Sequence, residues 1–285
     1  AKPNAGLPDP ATGEYNITCQ QFVDKMAEFI NSGITILGGC CGTNPEYIRG
    51  MKKSVKQRAP SGKSKDLCLI SSNTKTVCFG KSEDGKRLPC VLIGERINPT
   101  GKKKFKEALR NNDIDYIIHQ GLEQETAGAQ VLDVNVGLPE IDEKEMMVRV
   151  MTELQAVTDL PLQIDTSSAK VMEAALRRYN GKALINSVNG KKEIMNAVFP
   201  LVKKYGGVVI GLTIDEKGIP AKSADRLKIA QKIYKEAARY GIAKKDIIID
   251  PVYIPELKNV SGTLRTKWGN ISVSITTDAD GNKNV

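Results

Sequence analysis

Six apolar, β-branched runs between residues 90 and 253 each end on a carboxylate or an amide, and these end residues are the groups in the sequence best suited to chemistry. The runs are VLIGER, VLDVNV, LQIDTS, LINSVNG, VVIGLTID and IIIDP. They deliver Glu95 and Asn98, Asp133 and Asn135, Asp165, Asn186, Asp215 and Asp250. Carboxylates accept hydrogen bonds, whereas amides both donate and accept. A set of them without histidine or cysteine matches the edge of a flat, polar heterocycle better than a tightly held metal ion. The competing reading is turn chemistry, because Asp and Asn favour loops for local reasons. That reading suffices for one such residue, but not for six at the same place in a repeated unit.

The repeated unit is what must position them. Each run gives way to a helical pattern, as in DEKEMMVRVMTELQAVTD, SAKVMEAALRRYN, KKEIMNAVFPLVKKYG and SADRLKIAQKIYKEAARYG. Near-continuous apolar strands alternating with amphipathic helices read as parallel βα units. In a (β/α)8 barrel of the TIM type the C-terminal strand ends converge on one face, where sites lie. An α/β fold is therefore expected, with about six of the eight units over residues 89–251. Residues 252–285 break the pattern: alternation such as ISVSIT and the turn DADGN predict an antiparallel hairpin.

Ahead of the barrel, residues 1–60 read as the last βα units of a second one. A helix over NITCQQFVDKMAEFINSG has Thr18 as its N-cap and closes at Gly33. The segment ITILGGCCGT predicts a strand ending on Cys40 and Cys41, and a second helix opens at Pro45. Residues 61–88 are basic and rich in Ser and Gly, so they read as a linker with some strand character.

Composition narrows the remaining classes. The 285 residues are 40% hydrophobic with a net charge of +9, and six cysteines are too few for a disulfide framework. The basic residues cluster between Arg49 and Arg110 with few aromatic platforms among them, which argues against a nucleic-acid surface. No apolar stretch approaches membrane-spanning length, and AKPNAGLP lacks the features of a signal peptide, so a cytoplasmic location is expected. The lone His119 sits in a helical stretch away from the strand ends.

Taken together, GGCCGTNPEYIRGM with the upstream KPNAGLP, followed by LIGERINPTGKKKF, LDVNVGLPEIDEKEMM, LQIDTSS, INSVNG, GLTIDEKGIP and IIIDP, resemble cobalamin-dependent methionine synthases. The first set is similar to the end of their homocysteine S-methyltransferase domain, and the rest to most of the pterin-binding domain that follows. The tail lies outside the resemblance. In that family a zinc-bound homocysteine thiolate accepts a methyl group from methylcobalamin. The resulting cob(I)alamin is remethylated from N5 of 5-methyltetrahydrofolate.

The resemblance implies zinc ligation by Cys40 and Cys41, with the family's third cysteine ligand on an earlier strand that this sequence does not include. It implies Asp165, Asn186 and Asp250 as the catalytic, pterin-ring ligands. Glu95, Arg96, Asn98, Asp133 and Asn135 are expected as neighbours in the same pocket, and Asp215 further out. Their hydrogen bonds would favour the N5-protonated, departing form of the substrate. Homocysteine, methyltetrahydrofolate and a cobalamin-binding partner domain are the implied partners. Three rival readings remain: a non-catalytic truncated or fused chain, a stand-alone methyltetrahydrofolate:corrinoid methyltransferase, and a dihydropteroate synthase-like pterin enzyme.

Overall fold

The computed structural model describes residues 1–34, 36–55 and 66–252, together with the backbone of four short strands beyond residue 260. It divides into two compact units, Ala1–Lys65 and Asp66–Val285.

In the first unit, helix α1 (Cys19–Asn31) opens on Thr18, whose hydroxyl accepts from the backbone of Gln21 while the Gln21 side chain accepts from the Thr18 N–H. This reciprocal box satisfies two otherwise orphaned N–H groups. Helix α2 (Pro45–Val55) starts on its proline, where no intrahelical N–H is needed. The two helices bury Phe22, Met26 and Met51, and the Phe22 and Tyr47 rings meet edge to face at 5.4 Å. The strand expected over ITILGGCCGT is not assigned among the described residues. Residues 36–41 instead run beside residues 1–5 with parallel-type spacing: Gly38 N donates to Ala1 O at 2.9 Å, Cys40 N to Pro3 O at 3.0 Å, and Ala5 N to Cys41 O at 2.9 Å. Pro3 has no N–H to return, so the ladder is broken where it would have to continue.

The second unit begins with an antiparallel hairpin, β1 (Cys68–Ser71) and β2 (Thr76–Phe79). The barrel elements follow in strict alternation: β3 (Ile93–Ile97), α3 (Lys103–Arg110) and α4 (Ile114–Thr126), β4 (Val131–Val134), α5 (Glu143–Val157), β5 (Leu162–Asp165), α6 (Ala169–Leu176), β6 (Leu184–Asn189), α7 (Lys192–Tyr205), β7 (Val208–Leu212), α8 (Ser223–Arg239) and β8 (Ile247–Asp250). The six strands β3 to β8 pair in sequence order, every pair parallel. This is the expected incomplete barrel, since helical crossovers of one hand set each strand beside its predecessor. Asp113, Asp142 and Ser168 cap α4, α5 and α6, and Gly206, at φ 77°, ends α7 in the left-handed conformation. Among the described residues no helix is long and apolar enough to cross a membrane.

Strand alternation gives the sheet two faces. Leu132, Val134, Leu162, Ile164, Ile185 and Val209 belong to the large core shared with the helices. Val131, Leu184 and Val208 belong to a second core on the opposite, inner face, together with Ile70 and Val77 of the hairpin. The hairpin therefore lies within the segment expected to be a linker and packs against the N-terminal ends of the strands. Ser71 and Lys182 exchange two backbone hydrogen bonds of 3.0 Å, Tyr179 Oη donates to Ser71 O at 2.9 Å, and Thr74 Oγ1 donates to Asp159 Oδ1 at 2.6 Å. Gly181 permits this approach: at φ 146° a Cβ there would stand 2.1 Å from Ser71 O.

Beyond β8 the chain carries β9 (Ser261–Thr266) paired antiparallel with β10 (Gly269–Ser274), and β11 (Thr276–Thr277) with β12 (Lys283–Asn284). The rest of residues 252–285, including the turn DADGN, falls outside the described residues apart from Val252.

Candidate functional site

The period of two along each strand sorts the inner face into layers. At the bottom of this face Val131 of β4 packs above the hairpin. Two residues further along, Asp133 and Gln163 are register partners in the next layer, 3% and 5% exposed. Two further still, Asn135, Asp165 and Asn186 stand half-buried at the strand ends, with Asp165 and Asn186 in direct register across β5 and β6. The polar strand ends thus rest on a buried row in which Asp133 and Gln163 stand beside the apolar Leu184 and Val208.

Hydrogen bonds assign these side chains different tasks. Asn135 Nδ2 donates to Asp165 Oδ2 at 2.9 Å, while its Oδ1 accepts from Gly137 N at 2.9 Å. Asn135 is thereby committed to holding Asp165 in place. Gln163 Nε2 donates to Asp133 Oδ1, and the Asn186 amide also stabilises the charged form of Asp133. Thr166 Oγ1 donates to Glu143 Oε1 at 2.5 Å, which ties α5 to the end of β5. Lys102 pairs with the exposed Glu95 at 3.0 Å.

Burial pushes the Asp133 carboxyl up to about 7; the neighbouring charges of Asp165 and Glu95 add to this, and the Gln163 and Asn186 hydrogen bonds oppose it. Asp165 is raised from the ordinary carboxylate range for the same leading reason, burial. The Asn135 bond opposes that shift, and Glu95 and Glu143 reinforce it. Two raised carboxyls side by side in a half-buried cluster are the pattern of a site that handles donors or protons.

Other expected residues lie elsewhere or are engaged locally. Asp250 ends β8 at the far side of β7, exposed, with Oδ1 accepting from Val252 N at 2.7 Å. Asn98 is 7% exposed and its Oδ1 accepts from Thr100 N at 2.9 Å, a local turn. Asp215 Oδ1 accepts from Lys217 N at 2.8 Å in the β7–α8 loop and lines a separate cavity of about 460 Å³ with Lys217, Lys228 and Lys232. The Arg96 backbone N–H donates to Gln124 Oε1 at 2.7 Å. Gln163 was not singled out from the sequence, although in LQID it stands two residues before Asp165 and so shares its face.

In the first unit, Cys40 Sγ and Cys41 Sγ are 3.9 Å apart. That is close to the sulfur–sulfur edge of a tetrahedral zinc site, about 3.8 Å for Zn–S bonds near 2.3 Å. The pair fits two of four positions. Among the described residues no group of three or more ligating side chains comes together.

The sequence profile of the pterin binding enzyme family matches residues 94–265, and that of homocysteine S-methyltransferases matches residues 1–55. The chain belongs to the pterin binding enzyme family. The match extends beyond residue 251, where the resemblance read from the sequence stopped. Methionine synthases of Mycobacterium tuberculosis (strain ATCC 25618 / H37Rv) and Mycobacterium leprae (strain TN) are 29% and 30% identical over 258 and 264 residues, 87% of this chain in each case. The chain spans about a fifth of the length of either, 21%. The dihydropteroate synthase of Xanthomonas albilineans shares the fold at a TM-score of 0.51 and 21% identity, covering 66% of each chain. The order of the two profiles along the chain agrees with the methionine synthase resemblance.

Proposed function

We propose that the polar strand ends of β4, β5 and β6 bind the pterin ring of 5-methyltetrahydrofolate, and that the chain serves methyl transfer from that substrate to cob(I)alamin and on to homocysteine. The observation that carries this reading is Asp165: a half-buried carboxylate with one oxygen held by Asn135, standing in register with Asn186. A pterin edge offers an amino group and a ring N–H beside a carbonyl, which a carboxylate and an amide complement. Asp250 would close the cleft from β8.

A tertiary amine leaves poorly until protonated at N5, so the cluster would contribute by stabilising the protonated form as the methyl group departs. Cobalamin, carried by a partner domain, supplies the methyl acceptor. Zinc, if bound, would lower the pKa of a substrate thiol, with Cys40 and Cys41 as two of its ligands. Family membership and the methionine synthase relatives support the folate part of this reading, while the acceptor and the zinc rest on the resemblance alone.

Titration of the full chain with 5-methyltetrahydrofolate, for wild type and Asp165→Ala, tests it. Saturable binding that the substitution weakens supports the reading, and equal affinity rejects it. A chain that converts a dihydropterin-6-ylmethyl diphosphate and 4-aminobenzoate to dihydropteroate and diphosphate would instead establish the synthase alternative.

A further inference from the structure

The β7–α8 loop and the N-terminal half of α8 enclose a cavity of about 460 Å³ that the pterin cleft does not use. Its walls follow from the local sequence. In DEKG, Asp215 Oδ1 accepts from Lys217 N at 2.8 Å, and Asp215 and Gly218 exchange backbone hydrogen bonds of 3.2 and 3.0 Å. This tight turn carries Lys217 at its tip. Arg226 Nε donates to Pro220 O at 2.7 Å and ties the end of the loop to the helix. Asp225, Lys228, Ile229 and Lys232 recur at helical spacing and so share one face of α8, the face that lines the cavity.

The lining combines an apolar wall with ammonium groups. Pro220 and Ile229 supply the wall, and three lysines stand against two carboxylates, those of Asp215 and Asp225. Asp225 is engaged by Lys228 at 2.8 Å, and Asp215 by its own turn. Lys232 reaches Glu216 only at 3.9 Å, and among the described residues no hydrogen bond or ion pair holds the Lys217 ammonium. An anion can therefore draw on Lys217 and Lys232 without breaking a close pair.

The cavity abuts the end of β6. Gly190 N donates to Ile214 O at 2.7 Å, and a Cβ on Gly190 would stand 2.7 Å from Ile229 Cγ2 and 3.5 Å from Asp215 Cβ. Gly190 follows β6 directly and lies about 13 Å beyond Asn186 at the rise of an extended chain. A ligand whose ring rests on the strand ends and which continues for about that distance reaches the cavity.

We propose that this cavity is the subsite for the p-aminobenzoyl-glutamate tail of the folate, with Pro220 and Ile229 against the aromatic ring and Lys217 and Lys232 receiving the glutamate carboxylates. The inference rests on the pterin reading given above and extends it, because a tail subsite selects folates over pterins that lack the tail. An aryl group followed by two carboxylates matches an apolar wall beside ammonium groups. Since these lysines meet solvent, each contact contributes a modest factor in affinity and is screened by salt.

The test is equilibrium binding to the full chain of 5-methyltetrahydrofolate and of 5,6-dimethyltetrahydropterin, which keeps the ring and the N5 methyl group but has no tail. Wild type, Lys217→Ala, Lys217→Glu and Asp165→Ala are compared. Lys217 is exposed, so its replacement leaves the core intact. Wild type should prefer the folate, and the preference should shrink as salt is raised from about 0.05 M to about 0.5 M. Lys217→Ala should weaken folate binding about threefold and Lys217→Glu about tenfold, with pterin binding unchanged in both. Asp165→Ala should weaken both ligands alike.

Equal losses for the two ligands in the Lys217 variants, or no loss for either, would overturn the subsite and leave the pterin reading intact. So would a wild type that binds the tailless pterin as tightly as the folate. Absence of binding of either ligand by the folded wild type would overturn both.

Discussion

Replacing Asp133 with Asn should stabilise the barrel unit above neutral pH and flatten its dependence on pH. Asp133 is 3% exposed, and burial holds its carboxyl at about 7 against an ordinary value of 3.8. The folded state thus binds this proton more tightly than the unfolded chain does. The contribution of the group is fully present below its unfolded pKa, falls as pH rises, and is lost above its folded one. Between pH 5 and pH 8 the linkage amounts to about 2.5 kcal/mol of lost stability from this residue alone. An Asn side chain has no proton to release there and can still bond Gln163, whose Oε1 is buried without a partner. Urea unfolding followed by far-UV circular dichroism at the two pH values measures the effect. Wild type should lose about 2.5 kcal/mol more than the variant on going from pH 5 to pH 8. Asp165, shifted in the same direction, remains in both proteins and cancels. Equal pH slopes would refute the argument that Asp133 is buried and titrates near neutrality.

The hairpin supplies further tests. Ile70 is fully buried against Val131, Leu184 and Val208, so Ile70→Ala should cost about 2–5 kcal/mol in urea unfolding, whereas a slack linker would lose almost nothing. Tyr179 Oη accepts from Leu162 N at 3.0 Å as it donates to Ser71 O. Tyr179→Phe should therefore cost about 1–3 kcal/mol and speed hydrogen exchange at the Leu162 amide, and unchanged exchange there would contradict the assignment. Gly181→Ala should destabilise the same junction, because its backbone lies in the left-handed half of conformational space with Ser71 O in the way of a Cβ; thermal melts indistinguishable from wild type would dispose of this.

The barrel was legible because its signal is repeated: each of β3 to β8 is an apolar run with a polar stop, and one uncertain boundary does not disturb the rest. The hairpin was harder to read. Ile70 and Val77 are single apolar residues in a basic, Ser-rich stretch, and only a tertiary partner, the floor of the barrel, makes them core. In the first unit the apolar residues of ITILGGCCGT suggested a strand. Whether a ladder forms depends on the neighbouring chain, where Pro3 cannot donate.

Among the candidate site residues, type and position anticipated that Asp165 and Asn186 stand at neighbouring strand ends, where they are in register. Depth within the barrel was not visible in the same way, so Asp133 was grouped with the cleft although it lies a layer beneath it. Asn98 and Asp215 have local turn hydrogen bonds, the ordinary behaviour of their residue types. Gln163 was readable in principle: a polar residue at an inward position of a buried strand requires a partner, and Asp133 is that partner.

The central claim, that the ends of β4, β5 and β6 form a pterin site, is tested most directly by equilibrium titration of the full chain with 5-methyltetrahydrofolate at pH 8. Wild type should bind saturably. Asp165→Ala removes a charge-assisted partner worth about 1.5–3 kcal/mol and should weaken binding roughly tenfold to one-hundred-fold, with the fold unchanged by circular dichroism. Equal affinity of the folded wild-type and variant chains would contradict the account.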